Sequence, residues 1–188
     1  MTARSTLILG GARSGKTRRA LALGETFPER FYIATAEALD DEMAARIARH
    51  RDERGAAWTT IEAPLDLPAA MLSVVSPGAV CVVDCLTLWL SNLIGAGCEV
   101  EGATAELCRA IEAAPASLVM VSNEVGLGLV PPYPLGRVYR DLLGRANQRL
   151  AAAADEVYFL VAGLPVELKA LSRSYGLGEG GTWPGRGV

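Results

Sequence analysis

Lysine is almost missing from this chain: Lys16 and Lys169 are the only two among its 18 basic residues. Histidine occurs once, at His50, and the four cysteines, Cys81, Cys85, Cys98 and Cys108, contain no C-x-x-C pair, which nearly excludes a Cys/His zinc site. Cys81 and Cys85 fall in or beside an apolar run and are expected to be small core residues. No apolar stretch reaches the ~18 residues of a membrane span, and the run Leu7 to Leu9 is too short for the apolar region of a signal peptide. An excess of one charge is lacking too: a net charge of −3 sets up no whole-protein field for nucleic acid or an anionic membrane. The expectation is a soluble cytoplasmic protein, one domain over residues 1–188, with no nucleic-acid partner and no membrane span.

One of the two lysines sits in the most informative stretch of the chain. From Thr6 to Thr17 a short apolar run breaks into glycine and polar residues and then opens a helix. Gly10, Gly15, Lys16 and Thr17 have the spacing G-x-x-x-x-G-K-[ST] of a phosphate-binding loop. Glycines let the backbone curl so that N–H groups point inward at an anion, and the helix adds its positive dipole end. Lys16 would reach the β- and γ-phosphates and Thr17 would place its hydroxyl on Mg²⁺, so the loop is expected to bind a nucleoside triphosphate such as GTP or ATP. Gly11, Ala12, Arg13 and Ser14 complete the expected cradle.

Further along, Arg18 to Glu25 is expected to be helical, Arg30 to Ala34 a strand, Asp41 to about Glu53 a helix, and Trp58 to Ile61 a short strand. Leu67 to Val75 is expected to be helical. Ala79 to Val83 and Leu118 to Val121 are apolar without alternation, the pattern of strands buried on both faces of a parallel sheet. Helices are expected over Leu86 to Ile94, Ala103 to Ala113 and Leu135 to Ala154, loops over Gly95 to Gly102 and Val125 to Gly136, and a last buried strand over Val157 to Val161. The glycine-rich segment 176–188 is expected to be a flexible tail. Alternating strands and helices predict an α/β fold of the P-loop NTPase, RecA-like kind: a mostly parallel sheet with helices on both faces. Ligands in such sheets collect at the carboxyl ends of the strands, which would group Gly10 to Thr17, Ala34 to Ala36, Asp84 and Asn123-Glu124 around one crevice.

Asp84 ends a buried strand that the sheet would bring beside the loop, which favours a carboxylate near Mg²⁺ over the alternative of a cap for the following helix. His50 shares a helical stripe with Met43 and Ile47 at i, i+4 and i+7, so a half-buried histidine satisfied by a neighbour is one reading. The other is a nucleophile or general base, since a neutral imidazole can attack phosphorus. Arg46, Arg49, Arg51 and Arg54 crowd the same helix and suit phosphate charge, or else form a solvated face paired with Asp52 and Glu53. Glu62 and Glu124 lie near strand ends and could meet a ribose, a base or a metal.

Several segments taken together resemble one family. They are Gly10-Gly-Ala-Arg-Ser-Gly-Lys-Thr17, Tyr32-Ile-Ala-Thr-Ala36, Leu39-Asp-Asp-Glu-Met-Ala-Ala-Arg-Ile47 with Arg49-His50-Arg51, Trp58 with Glu62, Asp84-Cys-Leu-Thr-Leu-Trp-Leu90, Ser122-Asn-Glu-Val-Gly126 and Arg145-Ala-Asn-Gln-Arg-Leu150. The set, spanning about residues 5 to 170, resembles the bifunctional adenosylcobinamide kinase and adenosylcobinamide-phosphate guanylyltransferase of cobalamin biosynthesis. The resemblance implies phosphorylation of adenosylcobinamide by GTP or ATP, then GMP transfer from GTP onto adenosylcobinamide phosphate, with pyrophosphate released. It implies a covalent GMP-histidine at His50, beside the catalytic Lys16 and the Mg²⁺ near Thr17 and Asp84 that the phosphate loop and the strand end already led us to expect. Nucleotide contacts carry over to Gly10 through Thr17, Ala34, Thr35, Ala36, Arg51, Asp52, Glu53, Arg54, Glu62 and Asp84. A homotrimer is implied as well. The competing expectations are a small-molecule P-loop kinase without guanylyl transfer and a RecA-like nucleotide-dependent assembly protein. For the corrinoid itself, the apolar loop Val125 to Gly136 is the expected surface.

Overall fold

The structure is a computed structural model that describes residues 3–38 and 40–176, apart from the side chains of Glu42, Arg46 and Glu53. Its strands are β1 (Ser5–Gly10), β2 (Glu29–Ala34), β3 (Thr59–Glu62), β4 (Ala79–Asp84), β5 (Ser117–Val121), β6 (Glu156–Val161) and β7 (Leu164–Glu167). The helices are α1 (Lys16–Gly24), α2 (Asp41–Arg54), α3 (Leu67–Leu72), α4 (Leu86–Gly95), α5 (Val100–Ala113), α6 (Pro134–Ala153) and α7 (Leu168–Ser174). One seven-stranded sheet runs in the order β3-β2-β4-β5-β1-β6-β7. All neighbours are parallel except β6 and β7, which are antiparallel. Phosphate-loop strand β1 therefore lies between β5 and β6, and β4 sits one strand away.

The missing polar alternation in the central strands has a direct cause. Leu7 and Leu9 of β1, Cys81 and Val83 of β4, and Leu118 and Met120 of β5 point to one face, where they pack with Trp89, Leu107, Leu143 and Leu150 of the helices. Ile8, Val80, Val82, Val119 and Val121 point to the other and meet Ala20, Leu21 and Leu23 of α1. Period-two side chains with a helix layer on each side must be apolar throughout. Gly24 closes α1 against Trp58, where a Cβ would run into the indole ring.

Several boundaries differ from expectation for local reasons. Helix α5 begins at Val100 because the Glu99 carboxylate accepts from the backbone N–H groups of Glu101 and Gly102. Helix α1 begins at Lys16, directly after the glycine turn whose end was expected to open it, and α3 stops at Leu72, short of the expected Val75. A further, exposed strand, β7, follows β6 among the described residues. Pro165 inside it and exposure at three of its four positions hid it, since only an edge strand tolerates proline. The expected tail lies outside the described residues beyond Gly176.

Candidate active site at the carboxyl edge of the sheet

Strand β1 ends at Gly10, whose φ of 153° and crowded surroundings exclude a side chain: a Cβ would stand 2.7 Å from the Leu160 carbonyl oxygen and 2.8 Å from Ser14 Oγ. Arg13 (φ 57°) and Gly15 (φ 95°) take left-handed conformations that curl the loop onto the start of α1. Lys16 is buried, and its Nζ donates to the Gly11 carbonyl at 2.6 Å, so the ammonium lies across the loop. Burial lowers its pKa from the usual lysine value, opposed by the negative potential of Cys85 and Asp84.

Asp84 is the hub of the site. Its Oδ2 accepts from Thr17 Oγ1 at 3.0 Å and from the Tyr32 hydroxyl at 2.8 Å. Burial, followed by the Asp84 charge, pushes the Tyr32 phenol up, so it stays a protonated donor. The Arg54 guanidinium lies 3.5 Å from the centroid of the Tyr32 ring. Two threonines keep the strand ends in place. Thr35 Oγ1 donates to the Cys85 carbonyl at 2.8 Å and accepts from the Cys85 N–H at 2.9 Å, and Thr87 Oγ1 accepts from the Asn123 N–H at 2.8 Å. Asn147 of α6 accepts from Ser122 Oγ and donates to the Asn123 carbonyl, which explains the buried asparagine in the Arg145 to Leu150 segment.

Two adjoining cavities open here. One, of about 840 Å³, runs along the loop and α1 and is lined by Ala12 to Arg18, Asp84, Cys85, Asn123 and His50. The other, of about 580 Å³, lies under α2 at the carboxyl ends of β2, β3 and β4, and its lining includes Thr17, Ala34, Ala36, Arg51, Arg54, Glu62, Asp84 and again His50. His50 is half-buried, and the stripe it shares with Met43 and Ile47 faces this second cavity; no described residue of α2 is buried. The stripe is apolar because it fronts a cavity. Arg51 pairs with Glu62 across 3.3 Å at the rim.

Not every expected site residue reaches the cavities. Gly10 and Gly11 form the root of the loop and do not line it. Thr35 is fully buried and acts through Cys85, while Asp52 points to solvent and lines neither cavity. The Glu53 side chain lies outside the described residues. Glu124 spends its carboxylate on the Gly126 N–H, and its own N–H donates to the Gly10 carbonyl. Cys81 is core as expected, but Cys85 borders both cavities. Asn123 lines the first cavity, as its grouping with the other strand ends implied, whereas sequence reasoning missed Tyr32 as a site residue. Period two puts Tyr32 on the same face as Ala34, which was the available signal.

Known structures share the architecture. An assembled type III secretion ATPase, EscN of enteropathogenic E. coli, superposes with a TM-score of 0.55 at 9% identity, over 88% of this chain and 48% of that one. The P4 protein of bacteriophage phi6 in complex with ADP gives 0.50 at 17% identity, over 87% and 54%. This chain spans about half of each, and such low identities bear on the fold alone: that of P-loop NTPases. Sequence relatives say more. The chain is 43% identical over 178 residues to the bifunctional adenosylcobalamin biosynthesis protein CobU of Salmonella typhimurium, covering 87% of this chain and 98% of that one. It is 46% identical over 168 residues to the protein CobP of Pseudomonas aeruginosa, covering 87% and 96%. The family described as cobinamide kinase / cobinamide phosphate guanyltransferase matches residues 6–168, and with that match and these identities the chain belongs to that family.

Proposed function

We propose that this chain phosphorylates adenosylcobinamide with GTP or ATP, then transfers GMP from GTP to adenosylcobinamide phosphate through GMP covalently held on His50. The observation that carries the reading is the place of His50 at the junction of two cavities, one along the phosphate loop and one under α2. Phosphates lying along Lys16 and the loop, with the nucleoside under α2, would bring the α-phosphorus toward the imidazole. A neutral imidazole nitrogen attacks that phosphorus, an N–P bond forms, and the bond to the β-phosphate oxygen breaks as pyrophosphate departs. An oxygen of adenosylcobinamide phosphate then attacks the same phosphorus. The N–P bond breaks, the imidazole regains its lone pair, and adenosylcobinamide-GDP is released. In the kinase step the acceptor hydroxyl oxygen attacks the γ-phosphorus, the bond from that phosphorus to the β-phosphate oxygen breaks, the nucleoside diphosphate departs and the hydroxyl proton is lost to solvent; position and charge from Lys16 and the loop N–H groups carry most of the effect.

The donor set fits Mg²⁺. Thr17 and Asp84 bring hard oxygen ligands within 3.0 Å of one another beside the loop, the Ser/Thr and carboxylate pair that accompanies nucleotide phosphates in such sites. Mg²⁺ bound there would offset charge on the phosphate oxygens. No cluster of three or more acidic, cysteine or histidine ligands occurs among the described residues, which suits an ion completed by phosphate and water.

The corrinoid is assigned to the loop after β5. Leu127, Leu129, Val130 and Tyr133 are exposed there, yet the loop is pinned: Arg137 donates to the Pro131 and Pro132 carbonyls and Arg140 to that of Gly126. An apolar surface held rigid beside the loop strand suits a bulky acceptor. The exposed apolar residues of β7 and α7, including Leu164 and Leu171, suit burial against neighbouring chains of a homotrimer. A sedimentation mass of one chain at micromolar concentration would overturn the trimer. No helix among the described residues is long and apolar enough to cross a membrane, and the reactions are assigned to the cytoplasm.

Incubation with GTP labelled at the α-phosphate tests the central claim. The expected result is an acid-labile, base-stable adduct on the peptide carrying His50, absent in His50→Ala. Phosphorylation of cobinamide without any label on the wild-type protein would reduce the reading to a kinase. Turnover stimulated by DNA and indifferent to cobinamide would replace it with an assembly ATPase.

A further inference from the structure

Tyr32 meets both sides of the site with different parts of one side chain. Its hydroxyl donates to Asp84 Oδ2 at 2.8 Å, the oxygen that Thr17 also reaches. Its ring carries the Arg54 guanidinium 3.5 Å from the centroid. Arg54 lies four residues, about one turn, beyond His50 on the same face of α2. The phenol itself is 3% exposed and packs with Ile8, Val80 and Val82, so its position is set by the core.

Helix α2 has few other holds. None of its described residues is buried, and its C-terminal half is tied to the sheet by Arg51 on Glu62 at 3.3 Å, Arg54 on Thr60 at 3.3 Å and the stack on Tyr32. The Arg51 pair is exposed, and such pairs contribute little. The stack on a core-fixed ring is the contact best suited to fix where His50 stands.

We infer that Tyr32 is a positioning residue that registers the His50 helix against the Asp84 carboxylate, with its ring serving guanylyl transfer and its hydroxyl serving both reactions. The inference rests on the function proposed above. Its two connections are separable by substitution: Tyr32→Phe keeps the ring and removes the donor, whereas Tyr32→Leu removes both.

Two measurements test it on the full chain. Amide hydrogen exchange of α2, without nucleotide or metal, should be unchanged in Tyr32→Phe and about tenfold or more faster in Tyr32→Leu, because only the latter loses the stack. Rates of His50 labelling from GTP and of cobinamide phosphorylation should fall together in Tyr32→Phe, by about tenfold, with their ratio preserved. In Tyr32→Leu the ratio of labelling to phosphorylation should fall by a further ten- to hundredfold, on the order expected for a misplaced reacting group. A tyrosine that merely fills the core would lower both rates and the melting temperature in proportion, and that result would overturn the inference. If Tyr32→Leu does not fold, Arg54→Leu removes the stack together with the Thr60 hydrogen bond and Thr60→Val removes that bond alone; α2 exchange should be faster in Arg54→Leu than in Thr60→Val, and equal exchange in the two would overturn the inference. If the wild type forms no GMP adduct, the functional reading fails while the exchange result still decides the role of Tyr32.

Discussion

The wall that carries the phosphate loop grows from β1, a strand buried at every position and hydrogen-bonded between β5 and β6. The loop is held where Glu124 donates to the Gly10 carbonyl and where Lys16 closes on Gly11. The facing wall is α2, a helix of 14 residues, none of whose described members is buried. It is capped by Asp40 accepting from the Met43 N–H, and it touches the sheet mainly near Arg51 and Arg54. A triphosphate needs a preformed cradle, since curled N–H groups gain strength from not reorganising. A nucleophile that serves only one of two reactions has a different need: it must be able to stand near the α-phosphorus in one and leave room in the other. The contrast in packing follows that division of labour.

The largest effect should come from separating the walls chemically. His50→Ala is expected to remove GMP transfer by at least about a thousandfold while lowering cobinamide phosphorylation by less than about tenfold. Lys16→Ala should lower both by on the order of a hundredfold or more. Rates of α-label incorporation and of γ-phosphoryl transfer, measured on the same preparations, check this. Equal losses of both reactions in His50→Ala would break the comparison, because α2 would then serve the kinase step too.

Rigidity should differ between the walls as well. Gly10→Ala places a methyl against the Leu160 carbonyl and Ser14 Oγ at a φ of 153°, and should cost about 4 kcal/mol and the nucleotide site with it. Gly55, which ends α2 at a φ of 71°, has nothing within 4 Å of such a methyl. Gly55→Ala should cost only the conformational strain, about 1–2 kcal/mol. Urea midpoints at constant slope give both values. A cost at Gly55 equal to that at Gly10 would mean that α2 is embedded more firmly than its exposure implies.

A smaller effect is expected where the firm wall continues into the loop after β5. Leu127 and Leu129 are 81% and 96% exposed, so replacing both with serine should leave stability within about 0.5 kcal/mol. Corrinoid affinity should fall by about tenfold, the scale of two partly buried apolar side chains lost from a contact. Intact affinity, read by titration with adenosylcobinamide, would remove the loop from the acceptor site.

These contrasts also account for what could be read from residues in order. β1, β4 and β5 were legible because a strand covered on both faces has no polar alternation, and the phosphate loop because its glycines and lysine have fixed spacing. Helix α2 was legible from Asp40-Asp41 and its stripe, but the pattern could not say whether Met43, Ile47 and His50 faced a core or a cavity. Nor could it show Tyr32 beneath Arg54, since that contact joins residues 22 positions apart through a ring whose polar end alone looks functional. β7 was hidden because Pro165 and exposed side chains are admissible only at an edge, and edges depend on strand order.

The footing of the firm wall offers the smallest test. At the opposite end of β1 from the loop, Asp155 Oδ2 accepts from the Ser5 N–H at 2.8 Å and from Ser5 Oγ at 2.9 Å. The backbone N–H of Ser5 holds this carboxyl below the usual carboxylate range, with help from the serine hydroxyl and Arg4 and against a partial desolvation that raises it. A carboxyl depressed in the folded state favours folding in its ionised form. Its contribution is complete above the unfolded value and disappears as pH falls through the folded one. Stability should therefore fall on the acid side through this group, and Asp155→Asn should have the flatter acid limb. The residue is exposed, so solvent screens the effect and it should be the weakest of the set. Thermal melts from neutral pH downward check the sign: a mutant that loses stability more steeply than the wild type in acid would show that β1 is not anchored here, and that its rigidity comes from its two neighbouring strands alone.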